Sequence, residues 1–337
     1  MSNESKKVAV LSQIKRVSST LSLAEISTLL ANSIPERTLR RWLLEWVESG
    51  VLKRTGKKRG TRYQYISDEN VSYHSKRQLP AFLQFLPKHQ RTIVLEQIRD
   101  LWTHTSTALE GNTLTLGDTH AILGLGLTIS GKPLREHQEI VGHAKAIDLL
   151  YQSIQESLNK TFIYGLHKTI QTEVVNDIYK PIGAWKVEVN GTYAVTSQGE
   201  QRFIEYAHPM HVDGLMEEVI QTINRVEISK VTTENCASFY AKIHMAIVHI
   251  HPFWDGNGRL ARLLANIILL KAGLPPLVIE TSQRREYIEC LADYQVKVGQ
   301  LTNITGAWPD DKQLKLFEEF CLRAYGLTKD LLAKASL

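Results

Sequence analysis

Apolar positions recur at helical spacing through most of the chain, and the elements they outline predict a mainly α protein. Val8, Val10, Leu11, Ile14 and Val17 outline a first amphipathic helix. Ser22 with Glu25 three residues on forms a capping box that opens a short helix through Ala31. Pro35 suits the first turn of a third helix, whose apolar face is Leu39, Trp42, Leu43, Trp46 and Val47 and which Gly50 ends. Two short strands, Val51–Arg54 and Arg62–Ile66, then flank a basic turn containing Lys57, Lys58 and Arg59.

Residues 67–78 are polar and aperiodic, and Pro80 follows. The pattern therefore divides the chain into a small domain over 1–66, a linker over 67–79 and a large domain over 80–337. In the large domain Ile93, Val94, Leu95, Ile98, Leu101 and Trp102 mark a helix leading to Ser106 and Glu110. Helical material fills Gly117 to Leu158 and Thr161 to Glu173. Alternation around Asn190-Gly191 then predicts a β-hairpin within about 184–206, for which Ser197 to Glu200 is an equally good turn. Phe239, Ile243, Ala246, Ile247 and Ile250 form a buried helix ending near His251. A second apolar run, Leu260 to Leu270, is closed by Gly273 and stopped by Pro275 and Pro276. Further helices fit Arg285 to Ala292 and Leu314 to Leu332.

Composition changes this picture in one respect. The net charge of +5 is uneven: residues 1–66 hold 13 Lys plus Arg against 5 Glu, or +8, and the remainder holds 27 against 30, or −3. With helices followed by a basic hairpin, the first segment resembles a winged helix-turn-helix. Arg37, Thr38, Arg40 and Arg41 would face a major groove and Lys57, Lys58 and Arg59 the flanking phosphates, so DNA is the expected partner of 1–66. Cys236, Cys290 and Cys321 have neither disulfide nor zinc spacing and read as reduced core residues. No apolar run reaches the roughly 20 residues that span a bilayer, so no membrane contact and a cytoplasmic location are expected.

The chemistry concentrates between the two apolar runs, in His251-Pro252-Phe253-Trp254-Asp255-Gly256-Asn257-Gly258-Arg259-Leu260-Ala261-Arg262. This is a tight loop entering a helix N-terminus, where unpaired N–H groups and the macrodipole favour anions. Gly256 and Gly258 let a phosphate approach the main chain. Asp255 is a hard oxygen ligand suited to Mg²⁺ bridging to phosphates. Arg259 and Arg262, one turn apart, can face one polyphosphate. His251 can take a proton near neutral pH. The loop alone thus specifies phosphoryl or nucleotidyl transfer, and leaves the base of the nucleotide open. His167 and His244 read as core histidines, and His208 with His211 lacks a third ligand for a metal.

At every fixed position the loop matches the His-Pro-Phe-x-Asp-Gly-Asn-Gly-Arg-x-x-Arg signature of Fic-domain proteins, and the resemblance covers about Pro80 to Tyr325. It implies a Fic-type helical core with a β-hairpin flap, and a protein adenylyltransferase moving AMP from ATP to a Ser, Thr or Tyr hydroxyl with Mg²⁺ as cofactor. Carried over, His251 is the base and Asp255 the metal ligand. Gly256, Asn257 and Gly258 cradle the α-phosphate, Arg259 and Arg262 grip the β- and γ-phosphates, and Tyr287 lines the adenine pocket. Phe253 anchors the loop. Ser106, Glu110 and Gly111 match the inhibitory helix of such proteins, here about 103–111, which implies that Glu110 pairs with Arg262 in place of the γ-phosphate. The flap implies a target protein docked by strand addition, with self-modification as a second outcome. Many relatives carry Arg near Lys186, to which no chemistry is assigned. The competing reading is a DNA-binding transcriptional regulator whose Fic domain senses nucleotide. The sequence leaves open a homodimer, the identity of the target and the DNA site.

Overall fold

The computed structural model describes residues 10, 14, 20–30, 33–48, 52–56, 60–65, 79–172 and 177–336. The chain divides into two compact units, Met1–Gln78 and Leu79–Leu337. Most of the expected first helix, the basic turn residues Lys57, Lys58 and Arg59, and residues 67–78 of the expected linker lie outside the described residues.

In the first unit strand β1 (Leu21–Ser22) leads into α1 (Leu23–Leu29). The capping box is present: Glu25 N–H donates to Ser22 Oγ at 3.2 Å and Ser22 N–H to Glu25 Oε2 at 2.6 Å. Helix α2 (Glu36–Glu48) turns Leu39, Trp42, Leu43 and Trp46 inward onto Ile26, Val10 and Ile14. Strands β2 (Leu52–Thr55) and β3 (Arg62–Tyr65) pair antiparallel with Leu52 opposite Tyr65, giving a sheet ordered β1-β3-β2. Buried Leu52 and Tyr63 join this sheet to the helices in one small core. Arg37, Arg40 and Arg41 are exposed on α2, but Arg40 is engaged by Glu36 one turn back, at 2.6 Å.

The second unit is helical apart from one hairpin. Its helices are α3 (Lys88–Ala108), α4 (Leu116–Leu125), α5 (Leu134–Gln152), α6 (Lys160–Ile170), α7 (Pro209–Arg225) and α8 (Cys236–Ile250). After the loop 251–256 come α9 (Asn257–Leu264), α10 (Asn266–Lys271), α11 (Arg284–Val298), α12 (Lys315–Ala324) and α13 (Gly326–Ala335). Helix α8 is apolar on all sides and nearly every side chain on it is buried, so it forms the axis on which α7, α9, α10 and α12 pack. The expected single helix through Leu270 is divided at Ala265. Beside this break the Asn266 amide donates to Arg262 O and Leu277 O, each at 3.0 Å, and accepts from Leu277 N–H at 2.7 Å. One buried amide therefore ties the base of the site to the segment that returns after the prolines.

The hairpin consists of β4 (Gly191–Val195) and β5 (Gln201–Glu205). Asn190-Gly191 is not its turn. The chain reverses at 196–200, where Gly199 takes a φ of +80° and Ser197 is held by Asp293 through N–H and hydroxyl. The second of the two turns allowed by the sequence is the one formed, because Gly199 supplies the left-handed residue and Thr196 Oγ1 accepts from Glu200 N–H at 3.2 Å. Helix α3 ends at Ala108, three residues short of the expected Gly111, whose φ of +102° turns the chain out of the helix.

Candidate active site

His251 caps α8 in the left-handed conformation, φ 52° and ψ 61°, the single non-glycine residue with positive φ among the described residues. Such a conformation costs of the order of 1–3 kcal/mol and persists only where packing imposes it. Here it reverses the chain directly from the core helix into the loop. Phe253, fully buried, anchors that loop: its ring stacks on His167 at 3.8 Å and meets Trp185 at 5.0 Å. Burying a ring of this size contributes roughly 1.5–3 kcal/mol. Asn257 adds a two-way clasp, its amide donating to Phe253 O and accepting from Phe253 N–H, both at 2.9 Å. The Asn257 side chain is therefore committed to the loop, and only its main chain is placed to meet a phosphate.

The loop is also held from α6. His167 Nε2 lies 3.0 Å from Asp255 O, while Nδ1 accepts Gly183 N–H at 2.9 Å, which fixes the Nε2–H tautomer. Burial pushes His167 down to about 4, so it stays neutral and can act as both donor and acceptor. Gln171 bridges the charged groups: Nε2 donates to Asp255 Oδ2 at 3.3 Å and Oε1 accepts from Arg259 Nη2 at 3.2 Å. His167 and Gln171 are site residues that the sequence reading did not assign. Both lie more than 80 positions from the groups they hold, and nothing local marks them.

Gly256, with φ +79°, caps α9 and gives its N–H to Asp255 Oδ1 at 2.7 Å. Asp255 is half exposed, with one carboxylate edge open for a ligand. Arg259 is buried. Its fork reaches Ile170 O at 3.4 Å and Gln171, Asp255 stands at 3.8 Å and Glu139 at 3.9 Å, and its Nε has no partner. A buried guanidinium with a spare donor beside a helix N-terminus is suited to an anion.

Arg262 is 2% exposed and fully engaged. Nε donates to Ser106 Oγ at 3.0 Å, Nη2 to Ser106 O at 2.8 Å and to Glu110 Oε1 at 2.6 Å, and Nη1 to Tyr287 Oη at 3.2 Å. Burial disfavours its charge, but the Glu110 carboxylate together with Tyr287 and Tyr240 outweighs this and holds its pKa above the ordinary value. The structure thus brings together Ser106, Glu110 and Arg262, as the inhibitory-helix resemblance implied. The Glu110 carboxylate lies over Gly258, where a β-carbon would sit 2.2 Å from Oε1. Tyr287 is placed behind Arg262, 5% exposed, its hydroxyl also 3.2 Å from His244 Nε2. That placement makes it a support of the arginine and leaves little ring surface for an adenine. His244, fully buried, completes the same chain of contacts.

Around the base, His251 Nδ1 lies 3.3 Å from Val248 O, which selects Nδ1–H and leaves the Nε2 lone pair free. Tyr206 stacks on the imidazole at 3.7 Å with 4° between the planes. Lys186, 2% exposed, donates to Asn190 Oδ1 at 2.6 Å. Burial lowers Lys186 to about 7, and burial together with this neighbouring ammonium lowers His251 to about 3.

With this geometry in view, comparison with known proteins is direct. The Fic/DOC family description matches residues 157–269, which run from the start of α6 through the loop into α10. The chain carries a Fic/DOC family domain. Its sequence is 32% identical over 200 residues to protein adenylyltransferase fic-1 of Caenorhabditis briggsae, a match covering 57% of this chain and 36% of that one. Protein adenylyltransferase Fic of Drosophila persimilis is 33% identical over 188 residues, covering 55% and 34%. The chain spans about a third of the length of these curated relatives. A crystal structure of a Fic-domain-containing signalling protein from Bacteroides thetaiotaomicron superposes with a TM-score of 0.63 at 27% identity, over 75% of this chain and 94% of that one. The fold is accordingly Fic-type and mainly helical. No helix among the described residues is long and apolar enough to cross a membrane.

Proposed function

We propose that the chain is a protein adenylyltransferase held off by its own Glu110. The observation that carries this reading is the Glu110–Arg262 contact over Gly258, because it places a carboxylate where the arginine fork and the bare main chain would otherwise receive a phosphate. In the released state a target Ser, Thr or Tyr hydroxyl would give its proton to His251 Nε2 as its oxygen attacks the α-phosphorus of ATP. The bond to the bridging oxygen breaks, AMP stays on the target and pyrophosphate leaves. The N–H groups of Asn257 and Gly258 would receive the charge that develops on the α-phosphate, while the Gly256 N–H is given to Asp255. Arg259 and Arg262 would hold the β- and γ-phosphates. Tyr287 would act on the nucleotide through Arg262. Mg²⁺ fits the donor set, since a lone half-open carboxylate, Asp255, is what a cation shared with substrate phosphates needs, and when bound it would neutralise their charge. Burial first and the Lys186 ammonium second hold free His251 below the ordinary imidazole range, and an anionic nucleotide would counter the Lys186 contribution.

The target protein would dock on the hairpin, whose outer face shows the paired rings Tyr193 and Phe203, 5.1 Å apart and well exposed. Strand addition along its free edge is the recognition mode that this geometry favours. The test is mass spectrometry of the protein and added lysate proteins after incubation with ATP and Mg²⁺. A gain of one AMP is expected with Glu110→Gly, and none when His251→Ala is added to it; undiminished transfer by that double variant would overturn the mechanism.

The first unit supports a second role. Its charge of +8 over 66 residues and the exposed Arg37 and Arg41 of α2 favour a winged helix-turn-helix that binds DNA. A chain that only sensed nucleotide to regulate DNA binding would shift an operator without labelling any protein. Pairing of two chains belongs to the same proposal: Leu125, Leu127 and Leu134 stand exposed within ten residues of one another, a surface that a second copy would cover.

A further inference from the structure

The His251 ring has one hydrogen bond, from Nδ1 to Val248 O at 3.3 Å, and a single contact of that length leaves the ring free to swing about its Cβ–Cγ bond. The plane of the imidazole is set instead by Tyr206, stacked at 3.7 Å and 4°. Tyr206 is itself placed by the root of the hairpin. It follows Glu205, the last residue of β5, and its N–H donates to the carbonyl of Asn190, the residue before β4, at 3.2 Å. Its own carbonyl accepts from Gln300 Nε2 at 3.0 Å. Asn190 also receives the Lys186 ammonium, and Lys186 N–H donates to the carbonyl of Pro252, next to the base, at 2.8 Å. The segments that enter and leave the hairpin are therefore joined at Asn190; one bonds to Pro252, the neighbour of the base, and the other ends in a ring lying flat on His251.

Resting on the adenylyl-transfer reading, we propose that Tyr206 is the positioning residue for the base: its ring holds the imidazole in the plane from which Nε2 meets the target hydroxyl, and the hairpin root holds Tyr206. The target segment and the base then share a support. A segment that pairs with the hairpin steadies the root, and through Tyr206 the same pairing steadies His251. The ring, not the hydroxyl, performs this task, so phenylalanine serves equally well.

The test uses the full chain carrying Glu110→Gly, with Tyr206→Phe and Tyr206→Leu added singly, and reads two quantities. In AMP transfer, Tyr206→Phe should retain the parent rate within about twofold, while Tyr206→Leu should lower kcat about 10- to 100-fold, the scale on which a misaligned reacting group acts. The KM for ATP should stay within about threefold, because the phosphate contacts do not involve this ring. In the NMR spectrum of imidazole-labelled protein, His251 should keep one sharp set of ring resonances with Phe, whereas with Leu its resonances should broaden or split as the imidazole swings between orientations. Equal kcat in the Leu variant, equal losses in both variants, or His251 resonances still sharp and single with Leu would each overturn the proposal. If the Glu110→Gly parent transfers no AMP, the adenylyl-transfer reading fails on that ground. The His251 resonances then decide by themselves whether Tyr206 holds the ring, and they also report on a Leu variant too unstable to assay.

Discussion

Replacing Glu110 by glycine should convert a nearly silent protein into an active one, and the size of the effect can be worked from the contacts. The Arg262 fork makes four hydrogen bonds, and only one of them, the 2.6 Å bond to Glu110, disappears; those to Ser106 and Tyr287 remain. The arginine therefore stays placed while the carboxylate leaves. A hydrogen bond between charged groups contributes about 1.5–3 kcal/mol. The Glu110 side chain is 42% exposed, so solvent screening reduces this to about 1–2 kcal/mol. At tenfold per 1.4 kcal/mol, removing the competition for Arg262 alone is worth about 5- to 30-fold. The carboxylate also lies over Gly258, and clearing it lets the phosphates seat in line for attack, where misplacement costs on the order of another 10²-fold. Self-modification should rise at least about fivefold, and by about 500- to 3000-fold if both effects act in full. Intact-mass time courses of wild type, Glu110→Gly and Glu110→Gly with His251→Ala measure it, the last remaining unlabelled. Glu110→Gln, which keeps the shape and loses the charge, should fall between wild type and glycine. Equal labelling of wild type and Glu110→Gly would refute the reasoning, since the contact would then be structural only.

Acid should destabilise the second unit before carboxylates protonate. His167 and His249 are buried with pKa values near 4, against about 6.5 in an unfolded chain, so the unfolded state binds more protons between those values. Stability is thus fully present above pH 6.5 and lost as pH falls toward 4, by about 1 kcal/mol for each histidine at pH 5.5. Urea denaturation at pH 7.5 and 5.5 checks the sign, and equal midpoints would contradict it. For the first unit, Arg37→Ala and Arg41→Ala should each lower the slope of log affinity for DNA against log salt by about one and weaken all sequences alike. An unchanged slope would remove these arginines from the DNA-binding face.

The reactive groups were legible because the loop is contiguous: a base, a carboxylate, two glycines and two arginines within twelve residues specify phosphate chemistry wherever the chain goes next. The Glu110–Arg262 pair spans 152 positions and was reached through resemblance, not through periodicity. Helices with strong apolar periodicity, such as α2 and α8, appear close to their expected limits. The hairpin turn was ambiguous because Asn190-Gly191 and the Gly199 turn both carry local turn signals, and the turn that forms is also held by Asp293, nearly a hundred residues away. Tyr206, Lys186, Gln171 and His167 shape the site through stacking, burial and long-range hydrogen bonds. None of those is encoded by a residue's immediate neighbours, so the sequence reading assigned them no part. Asn257 shows the opposite case. It was correctly located within the loop, yet its side chain is consumed by Phe253 and only its backbone is available.

Gly258 limits which substitutions can separate control from chemistry. Its missing side chain leaves a small area that the Glu110 carboxylate occupies now and a phosphate would occupy next. Any larger residue at 258 would expel the inhibitor and the substrate together, so no constitutively active form is reachable from that position. From Glu110 one codon change suffices. On the proposed reading, activity would be gained by altering the helix that carries Glu110, whereas it would be lost by altering the surface that Glu110 covers. A population of variants should accordingly collect its activating changes around 106–110 and its silencing changes in the loop.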